Sequence, residues 1–482
     1  MASKTTRNFV LNLFSRVFFA LASVSASFFL IRYLGPDRYG IMGLYSAALA
    51  SVSAFGTFGL IDSVAALIAK KEGGKNIVTW GLIRMSFLGL VCSTVFILAR
   101  KWISEVLGFE FETIIYLLLV IHLFIFVINL YVERVLEAIE CSHILSVTQA
   151  FVVIARVAFV AVIIIRELGV EWVALMEFLS SGVYLVVYTF YLGKTKKMIL
   201  PGGLNSYSIP KSLAASVFKY GLVVYVTSLV AISIHKVPLF IAQKYFGLEY
   251  VAYLSSAINM FARLWLPVYA LLTVIAPLFG NYRKKNVSAH LNESIKFIFL
   301  IFVPLSVYIF IYSDWLVQTL LGDDFTGGTV FLRILTPFLL FGACDLFLGP
   351  VLNYMGKAKS RVKGLAVIGL LNIAILVVGA GRLSPEFIPF VISVSTLAML
   401  LFDFYLIASE IKISVGIIIR DLAKVAVICA MLGFVFFVLS PSSTIVFMVQ
   451  SVLFGSLYLL LVWATRVFTI DDLKGFISRM KG

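Results

Sequence analysis

Seven charged residues stand deep within long apolar runs of this chain: Arg16, Arg156, Lys236 and Arg263 are basic, and Asp62, Asp345 and Asp403 are acidic. At the centre of a bilayer such a charge costs about 2.5–3.5 kcal/mol or more, so each marks an ion pair, a ligand contact or an ion path. Arg84, Glu133, Arg134 and Arg333 lie near the ends of runs and are expected to reach the interface along their own side chains. Asn12, Arg16, Ser23 and Ser27 follow one another at spacings of four, seven and four, which lines them along one helix face. Asp62 is the expected partner of Arg16, either in a structural ion pair or in a ligand site. Glu177 either pairs with Arg156 or sits at the outer interface. No acid stands in the runs that carry His235-Lys236 and Arg263. His122 reads as a packed core histidine, because nothing nearby completes a metal site. Neither a metal nor a cofactor is expected.

The balance of these charges points to a type of cargo. A cation pump depends most on carboxylates, yet here the deep bases outnumber the deep acids. Guanidinium groups pair phosphate oxygens in bidentate fashion, so a cavity rich in arginine and lysine suits phosphate or pyrophosphate. Arg16, Arg156, Lys236 and Arg263 are therefore the expected anion-binding residues. Asn12, Asp62, Asp345 and Asp403 are the candidates for polar cavity or ion-coupling roles, with a proton or sodium as the ion. No G-x-x-x-x-G-K-[ST] motif is present, which argues against direct nucleotide hydrolysis.

Membrane-spanning helices must position these residues. The chain has 482 residues, 61% hydrophobic and 13% charged, whereas soluble domains run near half apolar and about a quarter charged. Fourteen apolar runs are long enough to span: 9–31, 41–69, 80–99, 113–132, 145–165, 172–193, 217–243, 251–280, 294–313, 328–352, 364–381, 386–408, 422–439 and 444–464. They lack the two-residue alternation of barrel strands, so the expected class is an all-α integral membrane protein. Pro238, Pro267, Pro304 and Pro337 fall inside runs and should kink them. The four cysteines lie in or beside different runs without C-x-x-C spacing and read as small core residues. Arg16 interrupts the first apolar run, and that run continues past Ser27, so an uncleaved first span is expected rather than a signal peptide.

Most of the 39 lysines and arginines fall at the N-terminus, the even-numbered loops and the C-terminal tail, Lys357, Lys359, Arg361 and Lys363 among them. That bias places both termini in the cytoplasm and accounts for the net charge of +15 through basic loops facing anionic membrane lipid rather than nucleic acid. The loop 194–216 carries Pro201, Gly202, Gly203 and Pro210 and reads as a cytoplasmic linker. The expected organisation is an N-lobe over 1–193, the linker 194–216, a C-lobe over 217–408, and two further spans with the tail over 409–482. Tyr33-Leu34-Gly35-Pro36-Asp37 after the first span is echoed by Tyr245-Phe246-Gly247-Leu248-Glu249 after the seventh. An even number of spans per half gives both halves one orientation, related by a pseudo-two-fold along the membrane normal.

These residues also carry a resemblance. Asn8 and Asn12, then Arg32-Tyr33-Leu34-Gly35-Pro36-Asp37-Arg38-Tyr39-Gly40, then Gly56-Thr57-Phe58-Gly59-Leu60, resemble the polysaccharide-biosynthesis and O-antigen-repeat-unit flippases of the multidrug/oligosaccharidyl-lipid/polysaccharide exporter superfamily. The resemblance implies two six-helix lobes arranged as a V around a central cavity, with two helices appended. It implies transfer of a polyprenyl-diphosphate-linked oligosaccharide from the cytoplasmic to the outer leaflet by alternating access, for cell-surface polysaccharide biosynthesis. Drug-exporting members often place an ion-coupling acid in the first span, where this chain has Arg16.

Two rival readings make different demands. An ion-coupled drug or cation antiporter on the same fold requires acids to dominate the cavity, and commonly has twelve spans. A membrane-embedded sugar polymerase or ligase requires a sizeable outer loop, and those around 100–112 and 313–327 are short. Asp323-Asp324 in the second of these reads as a turn rather than a catalytic pair.

Overall fold

The computed structural model describes residues 2–69, 76–139, 141–194, 209–275, 279, 287–411, 415–439, 441 and 443–465, with side chains in the first helix described from Ala22 onward. Among these residues the chain is helical throughout, without strands. In order the helices are α1 (Ala2–Thr57), α2 (Leu60–Ala69), α3 (Ile77–Leu98), α4 (Arg100–Leu107), α5 (Thr113–Ala138), α6 (Ser142–Ile165), α7 (Val170–Lys194), α8 (Lys211–His235) and α9 (Val237–Phe246). There follow α10 (Leu248–Leu264), α11 (Leu266–Ile275), α12 (Val287–Ile311), α13 (Ser313–Leu316), α14 (Thr329–Tyr354), α15 (Ala358–Ala380), α16 (Phe387–Ala408), α17 (Val415–Val438) and α18 (Thr444–Ala464).

Twelve stretches among the described residues are long and apolar enough to cross a membrane. The sequence suggested fourteen, and the difference falls at two places. The first and second runs are not separated by a loop: α1 passes through Arg32–Gly40 with a kink at Gly35, whose φ of 69° and ψ of 175° is open essentially to glycine alone. Pro36 then starts the next helical segment from its preset φ. The eighth run is broken at Trp265 into α10 and α11 of 17 and 10 residues, because Pro267 lacks an amide hydrogen and its ring opposes the carbonyl four residues back. Pro238 breaks the seventh run in the same way, leaving Lys236 between α8 and α9. Pro304, Pro337 and Pro350 remain inside α12 and α14. Asp323-Asp324, expected as a turn, begin a short 3-10 helix, Asp323–Gly328, opened by Gly322 at φ 98° and tied by Thr326 Oγ1 donating to the Asp323 carbonyl at 2.9 Å.

The chain packs as two compact units, Met1–Ala252 and Tyr253–Gly482. Most of the linker expected over 194–216 lies outside the described residues. α8 packs on α1 and α2, and the resulting core joins Leu60 and Val64, Trp80 and Met85, Val127 and Tyr131, Tyr188 and Val217. Tyr131 is fully buried and donates its hydroxyl to the Val78 carbonyl at 2.6 Å, with its ring over Gly81. In the second unit α14 packs between α12 and α16, and Phe331, Phe338 and Phe347 fill its interior.

The glycine turn and its echo share a backbone conformation, since Gly247 has φ 103° and ψ −179°. They also touch: a Cβ on Gly40 would sit 2.2 Å from the Leu248 carbonyl oxygen. A second close approach brings Gly59 onto Gly221, where a Cβ would lie 2.1 Å from the carbonyl oxygen. Backbone cannot yield as a side-chain tip can. Gly40→Ala is therefore expected to destabilise the first unit by about 1–3 kcal/mol, as overpacking does elsewhere. Thermal unfolding of the purified protein in detergent reads this as a lower midpoint.

Candidate functional site

Among the described deep charges, Arg156, Asp62, Asp345 and Asp403 meet an opposite charge, whereas Lys236 meets none. In the first unit, mid-α6 Arg156 meets Glu177 of α7 in an ion pair, one of the two arrangements left open for Glu177 by the sequence. Asp62 in the first turn of α2 meets Arg134 of α5, Oδ1 to Nε at 3.6 Å. Arg134 also binds Glu137 at 2.7 Å. Arg16 was the expected partner of Asp62; the side chains of Arg16 and Asn12 lie outside the described residues. Arg84, by contrast, is exposed over the Trp80 ring, as its place near a span end suggested. Arg333 donates to Ser313 Oγ at 2.6 Å and pairs with Asp314.

His122 is buried and both its ring nitrogens are engaged, Nδ1 with the Tyr45 hydroxyl at 2.8 Å and Nε2 with Ser181 Oγ at 2.7 Å. Asn129 donates to the Ser181 carbonyl at 2.7 Å in the same cluster, which ties α1, α5 and α7 together.

In the second unit, Asp345 of α14 and Asp403 of α16 converge on one arginine of α15. Arg361 Nε donates to both oxygens of Asp403 at 2.9 Å, and Nη2 donates to Asp345 Oδ1 at 2.9 Å. Arg361 is 7% exposed and Asp403 0%. Gly349 makes the space, since a Cβ there would stand 2.8 Å from Nη2. The charge pattern placed Arg361 in a basic cytoplasmic loop. It instead occupies the first turn of α15, on the buried face with Leu365, Gly369, Asn372 and Leu376. The spacing of four, four, three and four along that face was the available signal, obscured by Lys357, Lys359 and Lys363 around it. Lys357 pairs with Glu410, while Lys359 and Lys363 are exposed. Arg263 is half-buried in the last turn of α10.

Lys236 is the exception. The break before Pro238 sets it between two helices, half-buried in a membrane-spanning stretch. Its backbone is held by the amide donating to the Ile232 carbonyl at 2.8 Å and by its own carbonyl accepting from Leu239 at 3.0 Å. Among the described residues no hydrogen bond or ion pair reaches its ammonium, and its charged neighbourhood contains no acid. The same unit holds an apolar cavity of about 550 Å³, lined by Phe55, Phe58, Val95, Trp102, Phe111 and Phe240 among others.

Lys236 is thus a half-buried cation without a counter-charge among the described residues, in a unit that also holds an apolar cavity, while Asp62, Arg156, Asp345 and Asp403 are internally compensated. The family model described as "Polysaccharide biosynthesis protein" matches residues 29–328. A sequence comparison with curated proteins gave no match. Among solved structures, the lipid II flippase MurJ in an inward closed conformation is similar at a TM-score of 0.71 and 14% identity, covering 94% of this chain and 98% of that one. An inward-facing multidrug resistance transporter of the MATE family gives 0.63 and 16%, covering 81% and 95%. A transporter from Pyrococcus furiosus, described as having a binding pocket of reverse polarity, gives 0.58 and 16%, covering 83% and 93%. At these identities the structures speak to the fold, and the family model speaks to kinship. The chain belongs to the polysaccharide biosynthesis protein family.

Proposed function

We propose that this protein is a flippase for a polyprenyl-diphosphate-linked oligosaccharide, moving it from the cytoplasmic to the outer leaflet by alternating access. The observation that carries the reading is Lys236, a half-buried ammonium in a spanning segment with no acid against it among the described residues. A buried charge without a partner is costly, so a site that keeps one is suited to a ligand that supplies the counter-charge. A diphosphate does so with several acceptor oxygens. Arg16, Arg156 and Arg263 are proposed to meet the same anion at other stages of the cycle, Arg156 by exchanging Glu177 for phosphate. The apolar cavity under α4 offers room for a stretch of prenyl chain, at a size within the roughly 300–1,000 Å³ usual for small-molecule sites.

The mechanism proposed is alternating access by rocking of two lobes, approximately 1–193 and 217–408. The lysine and arginine bias supports a cell-membrane location with both termini cytoplasmic. The drug-antiporter reading has less support here, because Asp62, Asp345 and Asp403 all face arginines rather than an open site for a cation.

The test is a leaflet-translocation assay with the purified full chain in proteoliposomes, using polyprenyl-diphosphate oligosaccharide and, separately, lipophilic cations. Translocation of the glycan lipid without cation export is the expected result. Cation export with no movement of the glycan lipid would replace the flippase by the antiporter.

A further inference from the structure

We propose that Asp345 and Asp403 hold one proton between them while Arg361 balances the remaining carboxylate, and that this pair couples transport to a proton gradient. The geometry begins with a charge count. Two carboxylates share one guanidinium, so with both ionised the cluster carries one uncompensated negative charge. Asp403 is fully enclosed and the helices around it are apolar spans. One nitrogen of Arg361, Nη2, lies 2.9 Å from an oxygen of each acid, Oδ1 of Asp345 and Oδ2 of Asp403, so the two carboxyls crowd against a single donor. Like charges that close resist joint ionisation, and one proton placed between them removes both the repulsion and the surplus charge.

The surroundings leave few other sources of positive charge. From α15, Arg361 is the basic group that faces the pair, because Lys357 is drawn to Glu410 and Lys359 and Lys363 are exposed. From α14 the neighbouring ionisable group is Cys344, which is buried. α12, packed on the other side of α14, directs Lys296 to Asp421 of α17 at 3.5 Å. Asp345 is 20% exposed whereas Asp403 is closed, so Asp345 is the door through which the proton exchanges. Three helices meet at this one guanidinium. Release of the proton would leave a net charge at their junction and loosen it, which is how occupancy can bias α14, α15 and α16 between two packings. A sodium ion could balance the charge equally well in principle, but the carboxylate oxygens are largely engaged by guanidinium N–H groups rather than turned toward a vacant centre.

Infrared difference spectroscopy of the full chain in an ester-free detergent at neutral pH reads the proton without any substrate. One deuterium-sensitive protonated-carboxyl band is expected in the wild type. It should vanish in both Asp345→Asn and Asp403→Asn, since each leaves one carboxylate against one guanidinium. Arg361→Gln should raise it about two-fold. No such band in the wild type, or one that survives both asparagine substitutions, overturns the proton pair; so does a shift of carboxylate bands on adding sodium alone. The coupling half rests on the transport reading above. In proteoliposomes an imposed pH gradient should speed glycan-lipid translocation several-fold in the wild type and leave both asparagine variants unaffected. Equal acceleration of all three defeats the coupling. Failure of the wild type to translocate the glycan lipid at all removes the flippase reading and with it the coupling, while the infrared result on the proton stands by itself.

Discussion

Arg361→Leu is expected to destabilise the second unit by about 3–5 kcal/mol, the cost typical of removing one partner from a buried ion pair. The substitution leaves two carboxyls facing a leucine in a span, one of them fully enclosed. The loss of three charge-assisted hydrogen bonds matters less than the stranded charge that follows. Asp403→Asn should cost less, about 1–2 kcal/mol, because Arg361 still pairs with Asp345. The order of the two effects is thus as informative as their size. Folded Arg361→Leu can persist only by holding its carboxyls protonated, so it binds more protons than the unfolded chain and its stability should fall as pH rises. Thermal unfolding in detergent at several pH values checks both points. A loss for Arg361→Leu no greater than that for Asp403→Asn would show the cluster to be solvated rather than buried.

Lys236→Ala is expected to slow glycan-lipid translocation by about 10–100-fold, equivalent to losing one hydrogen bond to a charged group at about 1.5–3 kcal/mol. The residue is not a packing element, since its side chain forms no described ion pair or hydrogen bond, so the fold should tolerate alanine. Indeed, relief of an uncompensated ammonium should leave stability unchanged or slightly raised. Lys236→Arg keeps the charge and should retain most of the activity, although its planar fork meets phosphate differently. Initial rates with polyprenyl-diphosphate oligosaccharide, measured beside thermal unfolding, separate the two roles. Wild-type rates in the alanine variant would remove Lys236 from the substrate path.

How far the site could be read in advance differs from residue to residue. Arg156 and Glu177 stand on consecutive helices, α6 and α7, and consecutive antiparallel spans tend to be neighbours, so their meeting was legible. Arg134 was legible as a charge near a span end but not as the partner of Asp62, because α2 and α5 are not consecutive and only packing decides which faces meet. Arg361 was hidden more completely. Three lysines around it give the segment the character of a solvated loop, and a window average hides one inward-facing residue among outward-facing ones.

The sequence by itself determined the class of protein: apolar runs of spanning length leave the backbone no option but helix in lipid, and the Arg32–Gly40 motif carries the family. It also determined the sharpest backbone features, because glycine at 35 and proline at 238 and 267 act through local sterics that need no partner. Only the tertiary structure decided the electrostatics. An ion pair depends on which helix faces are turned together, and hydropathy is nearly blind to rotation about a helix axis when most of its surface is apolar. That is why Asp345 and Asp403, equally ready to serve as isolated ion-binding acids, proved to be two arms of one cluster on Arg361, and why Lys236 emerged as the deep cation without a counter-charge among the described residues.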